Sequence, residues 1–397
     1  MVRSGWWPST LGPSSPRRSP TGPRRFSAND RAGGKGRRGR AANTAQFPAP
    51  GGTGKEDSRM QRVALIGYGV MGGTHANGYK EMPGAELACV IDIDEEKRKK
   101  AEDALGVKTF GSMKEALDAE EFGIVDCCLP TFLHTEGAVE ALEAGKHVIC
   151  EKPMALTVDE CQRMIDARDK SGKFLMIAHV LRWWPEYVKL KEVVESGKIG
   201  RVRNTMCIRV GGTPMWSWDK WLQDGERSGG ALVDLHVHDI DWLCALHGRP
   251  KAVFCTASEI DRATGPAHVF ANYIYDDLAA CAEGAWDQAS GFAMACRVTG
   301  EEAVVSYSSA QSPTLQLLTS EGAEPIEFEK VSLDGSAAEE GNISDLGGYY
   351  AECKYFVDCV ESGTTPSVLS PEDAMQNIEI AQAEIESLKT GKVVELP

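Results

Sequence analysis

From residue 60 onward, apolar positions fall into two kinds of pattern that alternate along the chain. Val63-Ala64-Leu65-Ile66, Ile124–Leu129, His147–Cys150 and Phe174–Ala178 are short apolar runs, the look of strands buried on both faces. Between them lie stretches with helical spacing. One runs from a glycine-rich turn to about Met82 and is closed by Pro83-Gly84. The others are Glu95–Ala104, Ser112–Ala119, Thr135–Ala144 ended by Gly145, and Val158–Lys170. Glu86–Ile91 adds a strand. Regular alternation of the two element types predicts an α/β fold with a doubly wound parallel sheet.

Beyond residue 200 the pattern changes. Val202–Val210, Ala252–Ala257, His268–Tyr275, Ala279–Asp287 and Ala293–Thr299 read as strands, which predicts a sheet-rich second domain. Leu232, Leu235, Ile240 and Leu243 fit a helix that ends before Gly248 and Pro250. Helices at Tyr349–Ser362 and Pro371–Leu388 close the chain. The expected division is a tail over 1–59, a nucleotide-binding domain over 60–180 and a substrate-binding and oligomerisation domain over 181–397.

Composition narrows the function. The 397 residues are 42% hydrophobic and 25% charged, as in soluble globular proteins, and no stretch approaches 18 uninterrupted apolar residues, so no membrane span is expected. Net charge is −15, yet residues 1–59 carry +9, which leaves −24 on the rest. A body that acidic repels phosphate backbones, so nucleic acid is not an expected partner. The tail is rich in Pro, Gly, Ser and Arg without an apolar period, which predicts disorder. It reads as a disordered tail or an over-extended start, because Met60-Gln61-Arg62 leads straight into a strand. An Arg-rich transit peptide is the alternative; Arg24-Arg25-Phe26 faintly resembles an export signal but no apolar region follows it. Twelve cysteines with no C-x-x-C pair read as reduced, which points to the cytoplasm.

Gly67-Tyr68-Gly69-Val70-Met71-Gly72 follows the first strand directly and opens a helix, and Asp92 ends the second strand twenty residues later. Each part suits a dinucleotide. Gly67 permits the tight turn, Gly69 admits the pyrophosphate, Gly72 lets helix and strand pack, and the helix N-terminus offers N–H groups to phosphate. A carboxylate at Asp92 would accept the adenosine ribose hydroxyls and repel a 2′-phosphate, favouring NAD. Lys97 and Arg98 just downstream keep NADP as the alternative. A bare glycine turn is the bland reading, and the register of all five parts argues against it.

Glu151-Lys152-Pro153 sits at the carboxyl end of a predicted strand, where doubly wound sheets bind ligands. A lysine becomes a general acid or base when burial or a nearby positive charge, such as an oxidised nicotinamide, brings its pKa towards neutrality. A surface lysine in a turn is the rival. The stretch from Gly229-Gly230 to Asp241 is denser. On a helix, Asp234, His238 and Asp241 stand at i, i+4 and i+7 on one face, with His236 pointing elsewhere. A carboxylate one turn before a histidine orients the imidazole for proton transfer. Two other readings stay open: a metal-binding H-x-H at His236 and His238 if the segment were a strand, and a core histidine beside an acid. No metal is expected. Of nine Trp, six fall between residues 183 and 242; most suit core packing, and Trp218 and Trp221, in a polar loop, are the candidates for stacking on a sugar. His179 and Arg182, just past a strand end, are further pocket candidates.

These motifs together, with Pro130-Thr131 and His134, resemble the glucose–fructose oxidoreductase / inositol dehydrogenase / MocA family from Met60 to Pro397. The resemblance implies a Rossmann domain followed by an α+β domain with a large, mostly antiparallel sheet that supports homodimers or homotetramers. It implies that Lys152 and His238 form the proton-transfer pair with Asp234 beside them. It places Pro130, Thr131 and His134 near the nicotinamide and Glu151 at the cofactor, and it implies a cis Lys152–Pro153 bond. The expected activity is hydride transfer between NAD(P) and a CH–OH group of a sugar, inositol or related polyol. Two alternatives are glycoside cleavage by transient oxidation with bound NAD, and a non-catalytic dinucleotide-responsive regulator.

Overall fold

The computed structural model describes residues 60–259, 265–289, 291–329 and 346–397, and the expectations for residues 1–59 lie outside it. Strands β1 (Gln61–Ile66), β2 (Ala85–Ile91), β3 (Lys108–Phe110), β4 (Ile124–Cys127), β5 (His147–Glu151) and β6 (Leu175–Ala178) form a parallel sheet in the order β3-β2-β1-β4-β5-β6. Between them run α1 (Val70–Lys80), α2 (Glu95–Leu105), α3 (Met113–Ala119), α4 (His134–Glu143) and α5 (Val158–Ser171). Strand order reverses between β1 and β4, the place where such sheets open a crevice for ligands.

Both faces of this sheet are buried, which is why its strands read as continuous apolar runs. Val63, Ile124, Ile149 and Met176 point to one face, and Ala64, Val125, Val148, Cys150 and Ile177 to the other. The second face is covered by α3, α4 and α5. The first is covered by α1 and by a helix from the far end of the chain.

The second sheet is built from β7 (Val202–Val210), β8 (Ala252–Glu259), β9 (Pro266–Ile274), β10 (Ala279–Ala285), β11 (Ala293–Gly300), β12 (Val304–Ser308), β13 (Leu315–Thr319), β14 (Gly322–Pro325) and β15 (Val394–Glu395). Its order is β14-β13-β12-β11-β7-β10-β9-β8-β15, antiparallel at every step except β7 with β10. The helices α6 (Pro185–Glu195), α7 (Gly225–Ser228), α8 (Val237–His247), α9 (Gly347–Ser362) and α10 (Pro371–Thr390) complete the described chain. Tyr187 and Leu190 of α6, Ile240 and Trp242 of α8 and Ile380 of α10 bury one face of this sheet. On the other face Met206, Phe270 and Ile274 are exposed.

The strands β3, β12, β13, β14 and β15 and the helix α6 were not expected from the sequence. Pro185 occupies the first turn of α6, where its missing N–H costs nothing. α10 begins on a capping box, Ser370 with Asp373, and ends at a left-handed Gly391.

Candidate active site

The turn between β1 and α1 is shaped by its glycines. Gly67 adopts φ +91°, and a β-carbon there would lie 2.7 Å from the carbonyl oxygen of Cys128. A β-carbon on Gly72 would come within 2.0 Å of the Gly67 oxygen, whereas Gly69 has nothing within 4 Å and faces open space. At the end of β2, Asp92 is buried. Its Oδ2 accepts the Tyr68 N–H (2.8 Å) and its Oδ1 accepts that of Asp94 (2.9 Å). Lys97 Nζ stands 3.9 Å from Oδ2. Arg98 is engaged elsewhere, donating to the carbonyls of Asp92 and Ile93.

A cavity of about 1070 Å³ starts here. Its wall includes Gly67, Tyr68, Gly69, Val70, Met71, Asp92, Pro130 and Thr131, and it continues to Glu151, Lys152, Asp234 and His238. The volume is at the upper end of small-molecule sites and suits a dinucleotide with a small second ligand. The open approach at Gly69, the carboxylate at the end of β2 and the helix N-terminus between them fit NAD.

At the other end of the cavity the turn after β5 meets the helical segment that leads into α8. The Lys152–Pro153 bond is cis. Lys152 Nζ donates to the Asp234 carbonyl (2.9 Å) and lies 3.3 Å from Asp234 Oδ1, and its backbone N–H donates to Glu151 Oε2 (3.0 Å). Burial raises the pKa of Asp234 and outweighs the opposing pull of Lys152. Burial, reinforced by Lys152, Arg209 and His179, holds His238 neutral well below the usual imidazole range. Its Nδ1 is buried without a hydrogen-bond partner.

The expected single face of Asp234, His238 and Asp241 does not form. Residues Ala231–Leu235 make a π-turn, with the His236 N–H donating to the Ala231 carbonyl (2.9 Å), before α8 begins. The wider turn shifts the register by one residue. Asp234 therefore meets Lys152 and not His238, while Asp241 turns away to Arg182.

Arg182 is thus not a pocket residue. It grips Asp241 through Nε (2.7 Å) and Nη2 (2.9 Å), and Asn377 donates to the same carboxylate (2.9 Å). His179 is outside the cavity wall too, fully buried behind His238 with ring centroids 6.4 Å apart. His134 sits beneath the cavity, its Nδ1 2.8 Å from the Pro153 oxygen and its Nε2 2.8 Å from that of Leu129, so it ties together the turns after β4 and β5. Trp218 and Trp221 both line the cavity. Trp218 lies over Lys97 Nζ (5.5 Å), and Trp221 packs beside Phe132 (6.3 Å).

A buried cluster behind Glu151 was not foreseen. His75 on α1 faces Asp126 Oδ2 through Nδ1 (2.8 Å), Glu151 Oε1 through Nε2 (3.1 Å), and Glu352 of α9 at 4.0 Å; Tyr79 also donates to Asp126 (2.9 Å). Burial opposes charge on His75, but Asp126 prevails and raises its pKa well above the usual value. Burial, then Glu151, drives Glu352 well up. These donor types also bind metal ions, yet both His75 nitrogens already face carboxylates, which an imidazolium satisfies. Arg209, paired with Asp239 (3.0 Å), and Tyr349 line the cavity as well. The one advance signal was a histidine in the interior of the helix that follows the glycine turn.

Comparison with known proteins agrees with this fold. The profile of the oxidoreductase family with an NAD-binding Rossmann fold matches residues 61–179, and that of the GFO/IDH/MocA C-terminal domain matches residues 187–306. An uncharacterized oxidoreductase of Rhizobium meliloti is 32% identical over 221 residues, 52% of this chain and 65% of that protein. A myo-inositol 2-dehydrogenase of Thermotoga maritima is 27% identical over 343 residues, 84% of this chain and 98% of that one. The structure of a levoglucosan dehydrogenase with NADH and levoglucosan superposes with a TM-score of 0.74 at 23% identity, covering 85% of this chain and 99% of that one, and shows the shared fold. With a parallel sheet, glycine turn and second sheet arranged in this way and two profiles spanning more than half of its length, the chain belongs to the Gfo/Idh/MocA family of NAD-binding oxidoreductases.

Proposed function

We propose that the protein is an NAD-dependent dehydrogenase that oxidises a CH–OH group of a sugar, inositol or related polyol, or runs the reverse reduction. The observation that carries the reading is that Lys152, Asp234 and His238 line one cavity that continues to Gly69 and Asp92. Bound NAD supplies the hydride acceptor. Lys152 accepts the hydroxyl proton as the carbon is oxidised and returns it in reduction. Asp234 orients the Lys152 amine through its carbonyl and carboxylate and stabilises the ammonium that forms when the amine takes the proton, and neutral His238 is a second proton acceptor beside it. Glu151 holds the Lys152 backbone, and Pro130 and Thr131 close the wall between the two ends. Positioned proton transfer of this kind contributes on the order of 10²–10⁴-fold.

Relatives named as inositol and levoglucosan dehydrogenases favour a sugar or polyol. Lys152→Ala is expected to bind NAD+ within about twofold of the native protein while turnover falls by roughly 10²-fold or more. Calorimetry and NADH absorbance over a panel of inositols, hexoses and amino sugars check both halves. Near-normal turnover dismisses the assignment.

The exposed Met206, Phe270 and Ile274 on the open face of the second sheet support a homodimer or homotetramer. Light scattering of the native protein should give at least twice the chain mass; a monomer mass removes that reading. Twelve unpaired thiols suit a reducing compartment such as the cytoplasm. Among the described residues no helix is long and apolar enough to cross a membrane.

A further inference from the structure

The segment between β7 and α8, residues 211–236, leaves the second sheet and runs along the cavity to the nucleotide-binding side. Pro214, Trp216, Ser217, Trp218, Trp221 and Leu222 all belong to the cavity wall. Trp218 marks how far the segment reaches. Its ring lies 5.5 Å from Lys97 Nζ, and that amine is 3.9 Å from the Asp92 carboxylate. Asp92 ends β2 and Lys152 follows β5, three strand steps away in the order β2-β1-β4-β5. At about 4.8 Å per step that is roughly 14 Å, more than the width of a single sugar ring. The Lys97 and Asp92 contacts of Trp218 thus fall at the β2 end of the cavity, apart from the strand end that carries Lys152.

We propose that Trp218 belongs to the cofactor site, where its indole covers the adenosine half of the dinucleotide beside Lys97 and Asp92. The assignment rests on the NAD-dependent reading and adds to it a wall that no nucleotide-binding motif encodes. Three features support it. Trp218 is 37% exposed and Ile93, next to Asp92, is 72% exposed, yet both line the cavity, so two large apolar side chains wait uncovered at this end. A flat purine ring is the part of the cofactor that such surfaces cover. The segment is also fixed in place. The Arg227 guanidinium lies over Phe132 (4.5 Å) and near the Trp218 ring (6.0 Å), and donates to the Asp219 carboxylate (3.1 Å) and carbonyl (3.3 Å). Finally, Asp219 and Lys220 take left-handed backbone angles, φ 46° and 52°, a strained pair of residues directly after Trp218. Strain kept at a turn that presents one indole to one cavity end is a feature expected of a binding site.

Titration of NAD+ and of ADP-ribose, which lacks the nicotinamide, into the full-length native protein, Trp218→Ala and Trp218→Phe tests the assignment by calorimetry. Trp218→Ala should weaken both ligands by about tenfold, by the same factor for each. Trp218→Phe, which keeps a flat ring, should stay within about threefold, and the KM for the polyol at saturating NAD+ should move less than twofold in either variant. Unchanged affinity for ADP-ribose in Trp218→Ala overturns the assignment, as does an effect confined to the polyol KM. Trp218→Phe and a thermal melt of each variant separate loss of binding from loss of fold. Trp218-dependent ADP-ribose binding without oxidation of any polyol would leave the cofactor wall standing and remove the dehydrogenase reading.

Discussion

One added carbon has opposite consequences at two glycines of the β1–α1 turn. A methyl on Gly72 meets the Gly67 carbonyl oxygen at 2.0 Å, and backbone cannot step aside as a side chain does. Gly72→Ala should therefore destabilise the protein by about 2–3 kcal/mol in urea melts, the scale of overpacking against fixed structure. Gly69 has an ordinary φ of −87° and open space beyond it, so Gly69→Ala should leave stability within about 0.5 kcal/mol. It should nevertheless weaken NAD+ by about tenfold, because the methyl occupies the approach of the pyrophosphate. Equal effects of the two changes on stability would refute this division of labour. Both glycines were legible in the sequence because the turn that needs them is local, spanning only the residues from Gly67 to Gly72. His75 was not. It is answered by Asp126, 51 residues on, and by Glu151 and Glu352 further still, pairings that only the folded chain brings together.

Elements were legible where local chemistry decides them and obscure where packing does. The strands of the parallel sheet announce themselves because burial on both faces leaves only apolar residues. The three-residue β3 and the outer strands β12 to β14 have too few alternations to stand out. The π-turn before α8 is hidden in the sequence for a different reason: its apolar spacing is compatible with an α-helix, and only the contact of Asp234 with Lys152 shows where the extra residue went. At the junction of β5 and β6, a titrating side chain stands in for a backbone bond. His147 Nδ1 accepts the Phe174 N–H (3.1 Å), which requires the neutral ring, and burial, aided by Lys173, lowers its pKa to about 4. The folded state thus binds fewer protons than the unfolded chain between about pH 6.5 and 4. This contribution to stability is present above pH 6.5 and is lost as pH falls towards 4. His147→Asn keeps an acceptor in nearly the same place without titrating. Urea melts at pH 7 and pH 5 should show the stability difference between the two proteins moving in favour of the variant in acid. A difference that does not change with pH counts against this role.

The molecule as a whole does not follow the simple division at residue 180. α9, from the end of the chain, places Cys353, Phe356 and Val357 against Val63, Ile124, Ile149 and Met176 of the parallel sheet, and it carries Glu352 to the His75 cluster behind Lys152. α10 packs on α5 and β6 and also on α8 and β8, joining the two sheets. Phe356 is completely buried, and removing a phenyl ring of that kind costs about 3–5 kcal/mol, a large share of the roughly 5–15 kcal/mol by which domains are stable. A fragment of residues 60–180 holds every nucleotide-binding motif but leaves that apolar face uncovered and His75 without Glu352. Such a fragment should therefore lack a cooperative thermal transition by circular dichroism and should not bind NAD+, although the motif it carries is intact. If it melts sharply and binds NAD+ with the affinity of the full chain, α9 is an accessory to a self-sufficient nucleotide-binding domain. In that case the His75–Glu352 contact has no part in holding Glu151 and Lys152 where the chemistry needs them.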